Sequence, residues 1–220
     1  MPGTVSGGVV EGPARLRTGG ACGQKGVDGR DKPGHDSEIV SRPCPMPGPM
    51  PATPDELFAF LDRLGIAHPT VTHAPVFTVE ESQALRGQIA GGHTKNLFLA
   101  DKKGALYLVV ALEHAAIELK SLHRRLGASG RFSFGAAALL RATLGVEPGS
   151  VTPFAAINDT DRRVTVVLDA AMMRHDILNY HPLRNSMTTS IAAADLVRFL
   201  AATGHPPRVE AVAAEVSAGP

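Results

Sequence analysis

Asp101-Lys102-Lys103-Gly104 constrains this chain more than any other stretch. Before it runs Leu97-Phe98-Leu99-Ala100 and after it Ala105 to Ala111, both apolar and both of strand length. A polar turn closed by glycine between two such runs folds them into an antiparallel hairpin. A lone two-stranded hairpin is marginal in water, so its apolar faces must be covered by further strands and by helices.

The flanking sequence supplies both. Thr53-Pro54-Asp55-Glu56 is a capping box with proline at the first helical position. Leu57, Phe58, Phe60, Leu61 and Leu64 follow at helical spacing, and Gly65 ends the helix. Thr78-Val79-Glu80-Glu81 opens a second helix predicted to reach Ile89. Further helices are predicted at Ala116 to Leu126, Gly135 to Leu144 and Ala193 to Ala202, with a helical turn over Ala170 to Arg174. Strands are predicted around Val71, at Arg131 to Phe134, Phe154 to Ile157, Val164 to Leu168, Ile177 to His181 and Met187 to Ile191. Helices and hairpin-linked strands interleave without a strict βαβ rhythm. The expected fold is therefore α+β: a single domain over residues 51–205, with a mixed, largely antiparallel sheet and surrounding helices.

The first fifty residues differ from the rest. They are rich in Gly and Pro, hold few large apolar side chains and show no sustained period, so they cannot offset their ordering entropy by burial. Residues 1–50 are expected to be disordered or to follow from a misplaced start codon, with Met46 or Met50 as better starts. No apolar run follows the early charges as a signal peptide requires. Residues 206–220 are expected to form a tail that packs poorly.

Composition narrows the chemistry. Cys22 and Cys44 are the only cysteines, so residues after 44 hold no disulfide, no thiolate zinc site and no cysteine nucleophile, which fits a reducing cytoplasm. A formal net charge of +1 argues against coating nucleic acid through a global field, while leaving room for a local grip on one RNA end. There is no apolar run of membrane-spanning length. The nine histidines lack ligand spacing, and neither His-Glu-x-x-His nor Gly-x-Ser-x-Gly occurs. No metal or cofactor is expected.

Three segments hold groups that chemistry can use. In Gly91-Gly92-His93-Thr94-Lys95-Asn96, two glycines permit close backbone approach to a ligand. Lys95 offers a point charge for a phosphate, and Asn96 both a donor and an acceptor. Glu147-Pro148-Gly149-Ser150-Val151-Thr152-Pro153 is a rigid loop able to wall a small pocket, without the spacing of a nucleotide-binding loop. In Asn179-Tyr180-His181-Pro182-Leu183-Arg184-Asn185, followed by Thr188-Thr189, His181 is a candidate proton carrier. Each segment also has a plain reading: a turn with a solvated lysine, a simple connection, a structural histidine. Lys102, Lys103, Lys120, Arg124, Arg125 and Arg131 are either solvated faces or the local patch that RNA requires.

Taken together and in order, Thr94-Lys95-Asn96-Leu97-Phe98-Leu99, Leu144 to Phe154 and His181-Pro182-Leu183-Arg184-Asn185 with Thr188-Thr189 resemble the YbaK/prolyl-tRNA-synthetase-associated editing domains. The likeness covers about Pro51 to Ala202 and is strongest to the free-standing Ala-tRNA(Pro) deacylases. It implies a YbaK-like fold and a hydrolase that clears mischarged tRNA(Pro) by water attack on the aminoacyl ester. It also implies catalytic roles for Lys95, Asn96, Gly149, Ser150 and His181. Substrate contacts then fall to Thr94, Val151, Thr152, Pro153, Pro182 and Arg184, and acceptor-stem contacts to Lys102 and Arg131. The implied partner is the acceptor end of mischarged tRNA(Pro), with prolyl-tRNA synthetase as a further candidate; DNA and membranes are not expected, and the chain is expected to be a cytoplasmic monomer. Two other readings stay open: a deacylase for Cys- or Ser-tRNA, and a binding module that recruits tRNA or a synthetase without catalysis.

Overall fold

The computed structural model of the chain describes residues 50–73 and 89–213. The hairpin forms as its turn dictates: β2 (Gly92–Ala100) pairs antiparallel with β3 (Leu106–Leu112), from Thr94 opposite Leu112 to Ala100 opposite Leu106. The Asp101 carboxylate fixes the turn by accepting the N–H groups of Lys103 and Ala105, each at 2.9 Å. Every residue of β3 is buried, as in a strand covered on both faces. Leu106, Leu108, Val110 and Leu112 enter one core, whereas Tyr107, Val109 and Ala111 enter another.

The remaining elements cover those two faces. The helices α1 (Pro54–Arg63), α3 (Ala137–Leu144) and α4 (Ala193–Ala202) bring Leu57, Leu61, Leu140, Leu144, Leu196, Phe199 and Leu200 to the larger core. The helix α2 (Leu119–Leu126) seals the other face with Leu122 and Leu126. The capping box of α1 forms as expected, with the Thr53 N–H donating to Glu56 at 2.7 Å and the Glu56 N–H to Thr53 at 3.3 Å.

The sheet is completed by β1 (Thr70–Thr72), β4 (Ser133–Phe134), β5 (Val164–Asp169), β6 (Ile177–Tyr180), β7 (Met187–Ala192) and β8 (Arg208–Glu210). The strand order is β1-β7-β6-β2-β3-β5-β8, with β4 attached to β2 beside that path. The β1–β7, β7–β6, β2–β3 and β2–β4 ladders are antiparallel, and β2–β6, β3–β5 and β5–β8 are parallel. The mixed α+β sheet is thus the expected one. Among the described residues, no helix is long and apolar enough to cross a membrane.

Two expectations need correction. Phe154 to Ile157 is not a strand but part of a 3₁₀ helix, Pro153–Asn158. Pro153 cannot donate to a ladder and suits a first helical position, and the Thr152 hydroxyl caps the Phe154 N–H at 3.3 Å. The segment after Pro206 does pack: β8 runs parallel to β5, and Val212 is buried beside Leu122 and Leu126. Asp169 draws this segment in by accepting the N–H of Val212 at 3.0 Å. Smaller differences are of boundary only: α2 and α3 start two or three residues later than their periodicity predicts, and β2 starts earlier, at Gly92. The helix predicted from Thr78 lies almost wholly outside the described residues.

Candidate active site

All three sequence segments meet at β2, and the order of pairing along its far edge explains how. Gly92 and His93 pair with Leu178 and Asn179 of β6; Leu99 and Ala100 pair with Phe134 and Ser133 of β4. Between these, no described strand lies along that edge. Main-chain groups of successive strand residues point to alternate edges. His93 accepts from Glu113 on the β3 side at 3.0 Å, whereas Phe98 accepts from Gly135 on the β4 side at 2.9 Å. By the same alternation the main-chain groups of Thr94 and Asn96 point into the gap between β6 and β4.

The glycines before this segment serve the fold. A Cβ at Gly91 would lie 2.9 Å from the Ile177 carbonyl, and one at Gly92 would lie 3.0 Å from the Leu178 side chain. They let β2 close against β6 and so bring Thr94 to Asn179, whose carbonyl accepts the Thr94 hydroxyl at 3.0 Å. Asn179 is itself locked, donating to Ala90 at 3.1 Å and accepting from Ser190 at 2.7 Å.

Lys95 and Asn96 read as a pair in sequence, but strand alternation sends them to opposite faces. The Lys95 ammonium donates to the Ala115 carbonyl. The Asn96 amide turns to the other face and donates to the Val151 carbonyl at 2.9 Å. That bond fixes the amide orientation, since a flipped amide would set oxygen against oxygen. It leaves Asn96 Oδ1 buried with no hydrogen-bond partner. A buried acceptor without a donor is costly and uncommon in native folds.

The loop tied by Asn96 is shaped by its own backbone. Arg141 grips Glu147 at 2.7–2.8 Å and holds its carboxyl below the usual range. The Glu147 carbonyl accepts the Ser150 N–H at 2.9 Å, and Gly149 adopts φ +90°, where side chains are strained. Ser150 is buried, and its N–H is taken by that bond. The N–H groups of Gly149 and Val151 remain as donors among the described residues. Thr152 and Pro153 are buried and build the 3₁₀ start rather than a surface.

His181 follows β6 directly. Its Nδ1 lies 3.0 Å from the Met187 carbonyl, which accepts only, so Nδ1 carries the proton and Nε2 keeps its lone pair in the neutral ring. Burial holds the imidazole below the usual histidine range; the Met187 carbonyl works against this and the nearby His73 adds to it. The two rings are 6.5 Å apart, and His73 Nε2 lies 2.9 Å from the Thr188 hydroxyl. His73 escaped the sequence reading because a single histidine just after a three-residue strand carries no spacing signal. Pro182 is buried, Leu183 holds φ +66° and Arg184 is exposed, so the chain turns sharply here and leaves Arg184 on the outside. Tyr180, buried behind His181 against Phe154, has its phenol pushed well above its usual range and is no base.

Lys102 and Arg131 come together through Asp101. Its second carboxylate oxygen accepts the Ser129 N–H at 2.9 Å, the main reason its carboxyl sits below the usual range. The loop before β4 is thereby pinned to the hairpin turn, with the Lys102 stem against Gly130 and Arg131 exposed beside it. Two cavities of ≈ 660 Å³ lie elsewhere, one under α1 and one beside β1 and β6; neither is lined by Lys95, Asn96, Ser150 or His181.

Residues 73–199 match the sequence profile of the aminoacyl-tRNA editing domain. The chain is 43% identical over 154 residues to prolyl-tRNA synthetase associated domain-containing protein 1 of Danio rerio, covering 69% of this chain and 83% of the relative. It is 35% identical over 150 residues to the prolyl-tRNA editing protein ProX of Acetoanaerobium sticklandii, covering 68% and 91%. Its fold is similar to a solved structure described as a candidate trans-editing enzyme for prolyl tRNA synthetase, with a TM-score of 0.57 at 19% identity, over 73% of this chain and 96% of the other.

Proposed function

The chain belongs to the aminoacyl-tRNA editing domain family, and from that premise we propose that it hydrolyses the ester of mischarged Ala-tRNA(Pro). The observation that carries the reading is the buried, unpartnered Asn96 Oδ1 beside a loop whose Gly149 and Val151 N–H groups are unspent. An aminoacyl ester brings the complementary groups. Its α-ammonium supplies the donor that Asn96 lacks, and its carbonyl oxygen accepts from the loop as negative charge develops on it.

The reaction needs little more than positioning. Water adds to the ester carbonyl carbon, the carbonyl electrons move to the oxygen, and loop N–H groups stabilise that oxyanion. Collapse of the adduct breaks the bond to the ribose oxygen, which leaves with a proton. The lone pair on His181 Nε2 suits a proton acceptor on this path. Lys95, on the other face of β2, acts as an anchor for the tRNA end rather than as a nucleophile. Lys102 and Arg131 give that end a cationic approach. Selectivity comes from size: a pocket shaped for proline rejects alanine weakly, since each missing methylene is worth only about 1–3 kcal/mol. A second pocket too small for proline completes the sorting.

The relative named as a prolyl-tRNA editing protein supports editing on that tRNA, and the relative named as prolyl-tRNA synthetase associated supports that synthetase as a partner. Ala-, Cys- and Ser-tRNA offered side by side test it. Fastest release of alanine supports the assignment; preference for cysteine or serine moves the substrate, and tight tRNA binding without any release leaves only a recruiting module.

A further inference from the structure

Phe134 is 66% exposed, while every other described phenylalanine is buried or half-buried. It is held rather than loose. It pairs with Leu99 across the β2–β4 ladder, and a Cβ at the next residue, Gly135, would run into the Phe98 ring. The backbone of β4 is therefore pressed flat against β2, which gives the exposed ring a rigid base.

Exposed cations flank its segment. Arg131 and Ser133 are exposed on the same segment, and the exposed Lys102 and Lys103 stand on the turn that Asp101 ties to it. Directly opposed strand residues share a face, so Phe134 lies on the face of Leu99, and by alternation on that of Leu97 and Lys95. Four residues of strand separate Leu99 from Lys95, about 13 Å. A protein hot spot sits within a ring of supporting contacts that exclude water; an isolated aromatic ring among cations is instead the chemistry of single-stranded nucleic acid, bases on the ring and phosphates on the charges.

We propose that Phe134 is a stacking platform for an unpaired base at the 3′ end of tRNA, with Arg131, Lys102 and Lys103 taking the neighbouring phosphates. The platform rests on the tRNA reading above and places the RNA end on the Lys95 face, while the aminoacyl group enters the gap beside Asn96.

The chain contains no tryptophan, so Phe134→Trp installs a single reporter. Titration with an uncharged acceptor-stem hairpin carrying its single-stranded 3′ end quenches that reporter, and the same hairpin with the end removed does not. In deacylation, Phe134→Ala raises KM roughly 10-fold with kcat within about twofold, Phe134→Leu behaves like Phe134→Ala, and Phe134→Trp matches the parent. The proposal is overturned if the reporter ignores the single-stranded end, if prolyl-tRNA synthetase quenches it in place of RNA, or if Phe134→Leu restores KM. Quenching in a protein that deacylates nothing leaves the platform standing and removes the hydrolase reading instead.

Discussion

Asn96→Ala separates a working side chain from a structural one, because its two effects on stability oppose each other. The substitution removes the donor to Val151 at 2.9 Å, and leaving that carbonyl unpaired costs about 1–3 kcal/mol. It also removes Asn96 Oδ1, which is buried without a partner and costs a similar amount in the parent, about 1–3 kcal/mol. The net change in folding free energy is within about 1 kcal/mol, a shift of only a few degrees in Tm. Catalysis has no such cancellation. If Oδ1 accepts from the substrate ammonium, its loss removes a hydrogen bond to a charged group, about 1.5–3 kcal/mol, and kcat/KM falls roughly 10- to 150-fold. Calorimetry and single-turnover deacylation on the same preparation read both quantities. A destabilisation of several kcal/mol, or activity within twofold of the parent, is incompatible with a substrate-binding role for Asn96 Oδ1. Asn96→Asp sharpens the contrast: it keeps an acceptor but sets a carboxylate against the Val151 carbonyl, so it loses stability.

Other consequences follow from single contacts. Lys95→Ala lowers kcat/KM by roughly two orders of magnitude without unfolding the chain, checked by deacylation alongside circular dichroism. His181 is held below its ordinary value of 6.5 by burial, so the unfolded chain binds more protons than the folded one below about that pH. Its contribution to stability is present above pH 6.5 and is lost as pH falls toward the folded value. Enzyme-dependent deacylation, corrected for spontaneous hydrolysis, holds level through pH 6.5 and declines only at lower pH, where the folded ring's lowered value is reached, and His181→Gln removes that limb. Truncation before Pro206 strips β8 from β5 and Val212 from the core. Its cost is about 4–6 kcal/mol, from one buried valine and a few main-chain bonds, read as a lower urea midpoint.

The hairpin, the capping box of α1 and the whole of α4 were legible in sequence because local periodicity and turn chemistry determine them. Phe154 to Ile157 was not: a four-residue apolar run has no period to distinguish strand from helix, and Pro153 with its Thr152 cap decided the matter. The strand at Arg208–Glu210 was missed because its driving force is distant, in the Asp169 carboxylate and the vacancy that Val212 fills. At the candidate site, the segments that meet on β2 could be named from their order, but the direction of each side chain could not. Only pairing shows that Gly91 and Gly92 serve the approach of β2 to β6, that Lys95 and Asn96 face apart, and that His73 stands beside His181. Long-range register, which no local pattern encodes, is what gives adjacent residues separate surroundings.

An Ala-tRNA(Pro) deacylase cleaves the alanyl ester on tRNA(Pro) and spares the prolyl ester. Pre-steady-state hydrolysis of Ala-tRNA(Pro) and Pro-tRNA(Pro), each with excess protein, measures it directly. Release of alanine far above the spontaneous rate and of proline at the spontaneous rate is the expected result. Equal release of the two amino acids, or no acceleration of either, contradicts it.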